Sequence, residues 1–208
     1  MKNLTVLDHP VLMHKLRILR DQRTTSHEFR QVLTEIAMMM AFEATKDLKL
    51  KTVQITTPLE TTKAKKISTQ VCIASILRAG EGMVQGFTQT LPFASVGLIG
   101  IARDKKTKNT VEYYLKLPKN IKNASVILVD PMLATGDTAL SAIDRLKENK
   151  VKSILFVNIL SSRVGIKKIH ARHPDVKIIT LSVERALNDH NYLLPGLGDA
   201  GDRIFGTV

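Results

Sequence analysis

The 208-residue sequence predicts an α/β fold with a mostly parallel sheet flanked by helices. Three observations carry this prediction. Short runs rich in β-branched residues alternate with helix-like stretches, no internal repeat or Pro/Ser-rich linker interrupts them, and 44% of the residues are hydrophobic, enough for a substantial core. Because ligands bind beyond the carboxyl ends of the strands in such sheets, the segments that follow the strands are the candidates for function.

The elements begin with an N-terminal helical region, residues 1–50. Pro10 can start a helix through Leu19, and Thr25 with Glu28 forms a capping-box pattern before a second helix. The predicted elements are helices over 29–48, 82–90, 138–149 and 166–173 and strands over 71–77, 95–101, 125–129, 153–160 and 176–183. We expect one domain over 1–208, closed by a segment over 184–208 in which acidic residues outnumber basic ones.

The composition narrows the function classes. Lysine plus arginine exceed aspartate plus glutamate, and the net charge of +12 favours an anionic partner: nucleic acid, a membrane surface or a phosphorylated small molecule. Nucleic acid is the weaker partner, because the lysines are scattered and no arginine-rich arm, zinc-finger spacing or aromatic-rich strand is present. No apolar run approaches the roughly 20 residues that cross a bilayer, so we expect a cytoplasmic protein without membrane contact. The single cysteine, Cys72, lies in an apolar run and is interpreted as buried.

The segment after the strand over 125–129 has the form of a phosphate-binding loop. Thr135 and Thr138 supply hydroxyl groups, Gly136 allows the backbone to approach closely, and the free N–H groups of the next helix favour an anion. Asp130, at the strand end, offers acceptors for the vicinal hydroxyls of a ribose. An ordinary strand-to-helix turn is the simpler interpretation, but the acid at this spacing favours phosphate binding. We call residues 130–138 the phosphate cradle; it lacks the Gly-Lys-Ser/Thr of a Walker loop.

Two other strand ends carry arginines. Arg78 begins a loop with Gly80 and Gly82, where a guanidinium and an accessible backbone suit a diphosphate. Arg103 lies in the polar run 103–110 between two β-like segments, which predicts a basic hairpin flap that excludes water. Judged alone, a surface arginine before a turn explains the Arg78 loop about equally well, but beside the phosphate cradle this becomes the weaker interpretation. For the Arg103 segment, a solvated hairpin is the alternative.

The C-terminal segment is rich in glycine and small residues, which can mark an unordered end. Apolar side chains at both of its ends, among them Leu193, Leu194, Ile204 and Phe205, favour burial and therefore an ordered loop. An ordered irregular loop exposes N–H and C=O groups, which can bind a flat base through fixed donors and acceptors.

These segments resemble the hallmark segments of uracil phosphoribosyltransferases. The match is to ILRAG at 76–80, VDPMLATG at 129–136 and PGLGDAGDR at 195–203, with VEYY at 111–114 and HPDV at 173–176. The C-terminal match is the most specific. The pair Asp130-Pro131 also favours uracil as the base, because relatives that act on other bases usually carry two acids at these positions.

The resemblance implies a type I phosphoribosyltransferase-like fold with a β-hairpin flap and a C-terminal base-binding hood. It implies that uracil and 5-phosphoribosyl 1-diphosphate (PRPP) react to give UMP and diphosphate, with magnesium as cofactor held mainly by the diphosphate and no protein metal ligands. The residues it assigns to PRPP are Arg78, Arg103, Asp130, Pro131, Met132, Leu133, Ala134, Thr135, Gly136, Asp137, Thr138 and Asp199. Those it assigns to uracil, mainly through main-chain groups, are Leu193, Gly198, Asp199 and Ala200.

Catalysis in such an enzyme is positioning and charge neutralisation, so no catalytic triad is expected. The resemblance further implies a homodimer or larger homo-oligomer, with the N-terminal helices as the interface. It does not decide whether GTP activates the enzyme.

The chain departs from the family pattern at several positions. Asp137 stands where glycine is usual, Glu81 where an apolar residue is common and Ser75 where proline often occurs, while residues 161–164 replace a typical Ala-Ala-Pro-Glu. Carboxylates beside anionic subsites should weaken substrate binding unless they point away or recruit magnesium. We expect Asp137 to face solvent while its backbone N–H serves the phosphate.

Three other functions stay open at this point: a regulatory protein of the same fold that binds PRPP and nucleic acid, a phosphoribosyltransferase for another base, and a metal hydrolase. The regulatory protein would not need the C-terminal base-binding segment, and a rigid main-chain site for uracil would reject cytosine. A hydrolase built on His170 and His173 lacks a third ligand at suitable spacing, so helix-end surface histidines are the better interpretation.

Overall fold

The computed structural model describes residues 3–103 and 110–207, and of Arg103 and Thr110 it describes the backbone alone. The helices are α1 (Pro10–Arg20), α2 (Ser26–Ala44), α3 (Glu81–Thr90), α4 (Asp137–Glu148), α5 (Arg163–Arg172) and α6 (Ala200–Phe205). The strands are β1 (Leu4–Val6), β2 (Leu50–Thr56), β3 (Thr61–Ile67), β4 (Val71–Leu77), β5 (Ser95–Arg103), β6 (Thr110–Lys116), β7 (Ser125–Val129), β8 (Met132–Leu133), β9 (Ser153–Val157), β10 (Leu160–Ser162), β11 (Lys177–Thr180), β12 (Ser182–Glu184), β13 (Ala186–Leu187) and β14 (Leu193–Leu194).

The main sheet has the strand order β1-β11-β9-β7-β4-β5-β6. Its strands pair in parallel, except that β5 and β6 form an antiparallel hairpin where the sequence predicts the flap. The prediction of an α/β fold with a mostly parallel sheet is therefore confirmed.

Two hydrophobic clusters lie on opposite faces of this sheet. Along β7, Ile127 and Val129 pack with α1, α2 and α3, whereas Val126 and Leu128 pack with α4 and α5. Successive side chains of a strand point to opposite faces, so an uninterrupted apolar run serves both clusters. Cys72 is buried in the second cluster, as predicted. The described residues include no helix long and apolar enough to cross a membrane.

Both N-terminal helices form where the sequence predicts them. Pro10 is the first residue of α1, where its missing N–H costs no hydrogen bond. The hydroxyl oxygen of Thr25 accepts a 3.3 Å hydrogen bond from the N–H of Glu28 and caps α2. The second helix ends at Ala44, earlier than predicted, because the chain enters turns in which Thr45 donates its hydroxyl to the carbonyl of Ala41.

The predicted strands over 153–160 and 176–183 are each divided in two. The chain leaves the main sheet after β9 and β11, and the second halves form a small parallel sheet of order β12-β10-β8. This small sheet lies beyond the carboxyl ends of the main strands, on the side where ligands are expected.

The hairpin of β2 and β3 was not predicted. It pairs antiparallel from Leu50↔Ile67 to Thr56↔Thr61, and most of its side chains are exposed. Neither strand faces a hydrophobic core in this chain, so the hairpin sequence shows no clear alternation of apolar and polar residues.

Candidate active site

The strand register brings the predicted site segments to one edge of the sheet. In the parallel pair of β4 and β7, Ser75 lies opposite Val129, so Arg78 and Asp130 follow the carboxyl ends of adjacent strands. The next strand, β5, is also parallel to β4 and ends at Arg103. The side chain of Arg103, which the resemblance assigns to PRPP, lies outside the described part of the chain.

The phosphate cradle joins β7 to α4. Gly136 has φ +86°, in the left-handed region that favours glycine, and the first helical hydrogen bond runs from Leu140 N to Gly136 O at 2.8 Å. The first N–H groups of an α-helix have no carbonyl four residues earlier within the helix, and Gly136 supplies no side-chain cap to α4. This end of α4 is therefore electrostatically suited to an anion.

Asp130 lies at the start of the phosphate cradle. Its Oδ1 accepts a 3.4 Å hydrogen bond from the N–H of Met132. Burial raises the pKa of the Asp130 carboxyl to about 7, and the hydrogen bond from Met132 opposes that rise only in part. A carboxyl at a strand end that changes charge near neutral pH can accept hydroxyl hydrogen bonds once it is ionised.

The Asp137 carboxylate does not simply face solvent. Its Oδ2 accepts a 2.8 Å hydrogen bond from the hydroxyl of Thr135, and its Oδ1 pairs with Lys168 of α5. Our expectation for this side chain was therefore wrong, because α5 packs against the phosphate cradle and brings a lysine within reach.

Ser162 holds the start of α5 against the phosphate cradle. Its hydroxyl donates to the carbonyl of Ala134 and accepts a 2.8 Å hydrogen bond from the N–H of Gly165. One of the departures from the family pattern is thus a helix cap that also contacts a carbonyl of the phosphate cradle.

Arg78 connects its loop to the C-terminal segment. Its Nη2 donates to Asp202 Oδ1 at 3.2 Å, and its guanidinium lies 5.7 Å from the ring centre of Phe205. The side chain is 58% exposed, so a ligand can compete for it. Glu81, the first residue of α3, is exposed, and partial desolvation raises its pKa.

The tail segment, residues 193–203, is ordered as predicted, but it is not wholly irregular, because β14 and the start of α6 lie within it. Leu193 and Ala200 are buried, whereas Gly198 and Asp199 are exposed. Asp199 caps α6 by accepting a 3.0 Å hydrogen bond from Asp202 N, and the hydroxyl of Tyr192 lies 3.5 Å from its Oδ2. The exposed main chain around Gly198 is therefore presented from a fixed framework. The peptide bonds Leu77–Arg78 and Leu194–Pro195 are cis.

Arg203 fixes the tail segment to the N-terminal helices. Its guanidinium donates to the carbonyls of Leu19, Leu197 and Asp21, the last two at 2.8 and 2.7 Å, and lies 4.5 Å from the ring centre of Phe29. Arg203 lies within the PGLGDAGDR segment, and its role was not predicted. The available signal in the sequence was an arginine immediately after a glycine-rich stretch, whose backbone needs donors for its carbonyl groups.

The two histidines considered for a metal site make other contacts. His170 Nε2 lies 3.2 Å from the carbonyl of Val176, and His173 Nε2 lies 2.8 Å from Asp144 Oδ1. Within residues 3–103 and 110–207, no three His, Cys, Asp or Glu side chains are grouped as metal ligands.

Two cavities lie outside the phosphate cradle. One of about 420 Å³ runs between the tail segment and the connection of α1 to α2. Another of about 480 Å³ is lined by the first residues of β7, β9 and β11, so it opens at the opposite edge of the sheet from Asp130.

Comparison with known proteins finds the same family along the whole chain. A family model described as uracil phosphoribosyltransferase matches residues 6–207. The uracil phosphoribosyltransferase of Finegoldia magna is 50% identical over 208 residues, 100% of each chain, and that of Clostridioides difficile is 48% identical over 208 residues, again 100% of each.

Solved structures share the fold. A protein from Aquifex aeolicus is 34% identical, with a TM-score of 0.91 over 97% of each chain. The adenine phosphoribosyltransferase from Trypanosoma brucei, crystallised with AMP, pyrophosphate and ribose-5-phosphate, is 16% identical, with a TM-score of 0.62 over 92% of this chain and 88% of its own. The fold is that of type I phosphoribosyltransferases.

Proposed function

The chain belongs to the uracil phosphoribosyltransferase family and transfers the phosphoribosyl group of PRPP to uracil, and we propose that its strand-end segments divide the two substrates between them. The phosphate cradle and Arg78 bind PRPP, and the tail segment binds uracil. The observation that carries this proposal is the contact of Arg78 with Asp202, which places the loop after β4 against the tail segment, so that the two substrates would lie side by side. The regulatory protein, the enzyme for another base and the metal hydrolase are not favoured.

The phosphate cradle has the chemistry for the phosphorylated sugar. The N–H groups at the start of α4 and the hydroxyls of Thr135 and Thr138 donate to the 5-phosphate, and the Asp130 carboxylate accepts from the ribose hydroxyls. Pro131 to Ala134 shape the connection between these groups. Arg78 exchanges Asp202 for the diphosphate, because a guanidinium binds a multiply charged anion more strongly than one carboxylate.

The tail segment has the chemistry for a flat base. Gly198 presents its main-chain N–H and C=O, and Asp199 and Ala200 present N–H groups, since the Asp199 carbonyl accepts from Arg203 N at 3.0 Å. Leu193 supplies an apolar contact, and the Asp199 side chain also extends toward the sugar. A rigid set of donors and acceptors selects uracil over cytosine, whose exocyclic amine donates where uracil accepts.

The reaction follows from holding both substrates together. The bond between ribose C1 and the diphosphate breaks with its electron pair on the diphosphate, while a uracil nitrogen bonds to C1 and loses its proton to the departing diphosphate or to water. Positive charge develops on the sugar in this transition state, and the donors around the departing diphosphate stabilise the leaving group.

Magnesium, which the family resemblance implies, would be held mainly by the diphosphate. The described residues form no resident metal site, but the diphosphate itself supplies the oxygen ligands that this ion prefers. Bound magnesium would neutralise charge on the leaving group, and Glu81 beside Arg78 is an oxygen donor that can bind one of its waters.

We also propose a homo-oligomer. The resemblance implies one with the N-terminal helices as the interface, and exposed Phe42 and Met38 on α2 support it, being 78% and 39% exposed. The hairpin of β2 and β3 adds support, because an isolated two-stranded hairpin is marginal in water and Leu59 at its tip is 95% exposed. A cytoplasmic location stays a prediction from the sequence.

Paired glycine variants test the division of substrates. Gly136 and Gly198 have φ of +86° and +83°, so alanine strains either loop by about 1–2 kcal/mol. We expect Gly136→Ala to raise the KM for PRPP about tenfold and Gly198→Ala to raise the KM for uracil about tenfold, each with little effect on the other substrate. The measurement is UMP formation from labelled uracil and PRPP with magnesium, with cytosine, hypoxanthine and orotate as competing bases. The division is wrong if each variant affects both constants equally.

A further inference from the structure

Glu184 is a buried carboxylate with four hydrogen bonds. It ends β12 and is 3% exposed. Its Oε1 accepts from Arg20 Nη2 at 2.7 Å and from the hydroxyl of Ser182 at 2.7 Å, and its Oε2 accepts from Arg20 Nη1 at 2.9 Å and from Gly196 N at 2.8 Å. Both oxygens are therefore fully engaged.

Arg20 reaches the same residue of the tail segment. It is the last residue of α1, and its Nη1 also donates to the carbonyl of Gly196 at 2.8 Å. Gly196 thus has its N–H bound by Glu184 and its C=O bound by Arg20. The pair holds one peptide unit on each side of Gly196, two residues before Gly198.

The charge on Glu184 is maintained despite its burial. Burial alone would raise the pKa of this carboxyl, but the hydrogen bonds from Arg20, Gly196 and Ser182 outweigh it and hold the pKa below its ordinary value. A buried, paired and fully hydrogen-bonded carboxylate has a fixed position, because any movement would leave charge unpaired in a poorly solvated place.

A second set of buried hydrogen bonds connects Glu184 to the strand ends. Thr180 donates to Asn158 Oδ1 at 2.8 Å and lies 3.2 Å from the carbonyl of Ser182, and Ser161 donates to the same Asn158 oxygen at 2.6 Å. These side chains are buried where the chain passes from the main sheet to the small sheet. Glu184 is therefore linked, through Ser182, to the ends of β9 and β11.

We infer that Glu184 and Arg20 are positioning residues for uracil: together they set the main chain of the tail segment at Gly196 and thereby the orientation of Gly198 to Ala200 toward the base. The inference rests on the proposed binding of uracil by these residues. Neither side chain contacts the base. Main-chain recognition of a flat ring depends on displacements well below 1 Å, so releasing Gly196 weakens uracil binding while leaving the phosphate cradle intact.

The test compares Glu184→Gln, Arg20→Met and the double variant. Glutamine keeps the shape of the side chain but presents an NH₂ group to donors that now need an acceptor. We expect each single variant to raise the KM for uracil about tenfold and to change the KM for PRPP less than about twofold, with the uracil-to-cytosine preference reduced. Because the two residues act as a unit, the KM for uracil of the double variant should exceed that of either single variant by no more than about twofold.

Matched controls separate positioning from general damage. Asp144→Asn removes another arginine partner, since Asp144 accepts from Arg172 Nε at 3.0 Å on the far side of α4 and α5. Asp144→Asn should leave the KM for uracil and the KM for PRPP unchanged. If Glu184→Gln does not fold, Arg20→Lys replaces it: one ammonium cannot bridge both Glu184 and the Gly196 carbonyl with the guanidinium's geometry, so the KM for uracil should rise by a smaller factor.

The outcomes distinguish this inference from the proposed function. If the folded variants keep the wild-type KM for uracil while Gly198→Ala raises it, Glu184 and Arg20 do not position the base and the uracil site stands. If Gly198→Ala also leaves the KM for uracil unchanged, the proposed uracil site itself is wrong. Additive effects of the two single changes would contradict a paired action.

Discussion

The phosphate cradle and the tail segment serve one reaction but are held in place differently. In the phosphate cradle, the strand end, Gly136 and the start of α4 follow one another within nine residues, and Thr135 bonds to Asp137 two positions away. In the tail segment, Arg203 bonds to the carbonyl of Asp21 across 182 positions, and Glu184 bonds to Arg20 across 164. A strand end, a glycine and a helix start order the first region, with added contacts from Ser162 and Lys168 of the α5 side. In the second region only β14 and the start of α6 are regular, and side-chain hydrogen bonds to the N-terminal helices hold the residues between them.

The physical reason for this difference is the supply of backbone partners. A strand followed by a helix satisfies most of its own N–H and C=O groups, and the few left at the helix start are the ones a phosphate uses. The stretch between β14 and α6 is irregular and satisfies few of its own backbone groups, so Arg203 and Arg20 supply donors to the Leu197 and Gly196 carbonyls. The remaining main-chain groups are then free to bind a base.

The largest expected effect is the loss of Arg203. In Arg203→Ala the carbonyls of Leu19, Leu197 and Asp21 lose their donor and the ring of Phe29 loses its cation, so we expect the free energy of unfolding to fall by about 3 kcal/mol or more. Urea unfolding followed by circular dichroism measures this. Arg172→Ala, at a 63% exposed side chain, is the control and should cost less than about 1 kcal/mol. Equal losses in the two variants would mean that the tail segment does not depend on its arginine.

The next effect concerns Asp130 and pH. With its pKa raised to about 7 by burial, the carboxylate that accepts the ribose hydroxyls forms only as the pH rises through that value, so kcat/KM for PRPP should increase between about pH 6 and 8. Asp130→Asn should lower kcat/KM about a hundredfold at pH 8 and remove this limb of the profile.

The same shift has a consequence for stability. The native state holds the Asp130 proton more tightly than the unfolded chain, so its contribution is fully present below the unfolded value of about 3.9 and is lost as the pH rises toward 7. Unfolding of the substrate-free protein across this range should therefore show a loss of stability that Asp130→Asn lacks. A pH profile shared by both proteins would contradict the assignment.

The smallest expected effect concerns the ion pair of Asp137 and Lys168. Because Lys168 offsets a carboxylate inside the phosphate cradle, Lys168→Ala should raise the KM for PRPP about fivefold, and the rise should shrink in the Asp137→Gly background. Higher salt should reduce the difference, since Lys168 is partly exposed. An equal rise in both backgrounds would show that Lys168 acts independently of Asp137.

Much of the fold could be predicted because its signals are local. The strand bounds of β4 and β7 match the apolar runs at 71–77 and 125–129, and Thr25 caps α2 as its pattern predicted. The hairpin of β2 and β3 and the division of two predicted strands could not be predicted, because neither changes the local pattern of apolar residues.

By itself, the sequence determined the α/β fold class, the position of the phosphate cradle after β7 and the family, since strand periodicity, helix caps and contiguous motifs are properties of short segments. Only the tertiary structure decided that Lys168 faces Asp137, that Arg203 holds the tail segment and that Glu184 and Arg20 enclose Gly196. These contacts join residues far apart along the chain, and their geometry exists only after the sheet and the N-terminal helices have packed together.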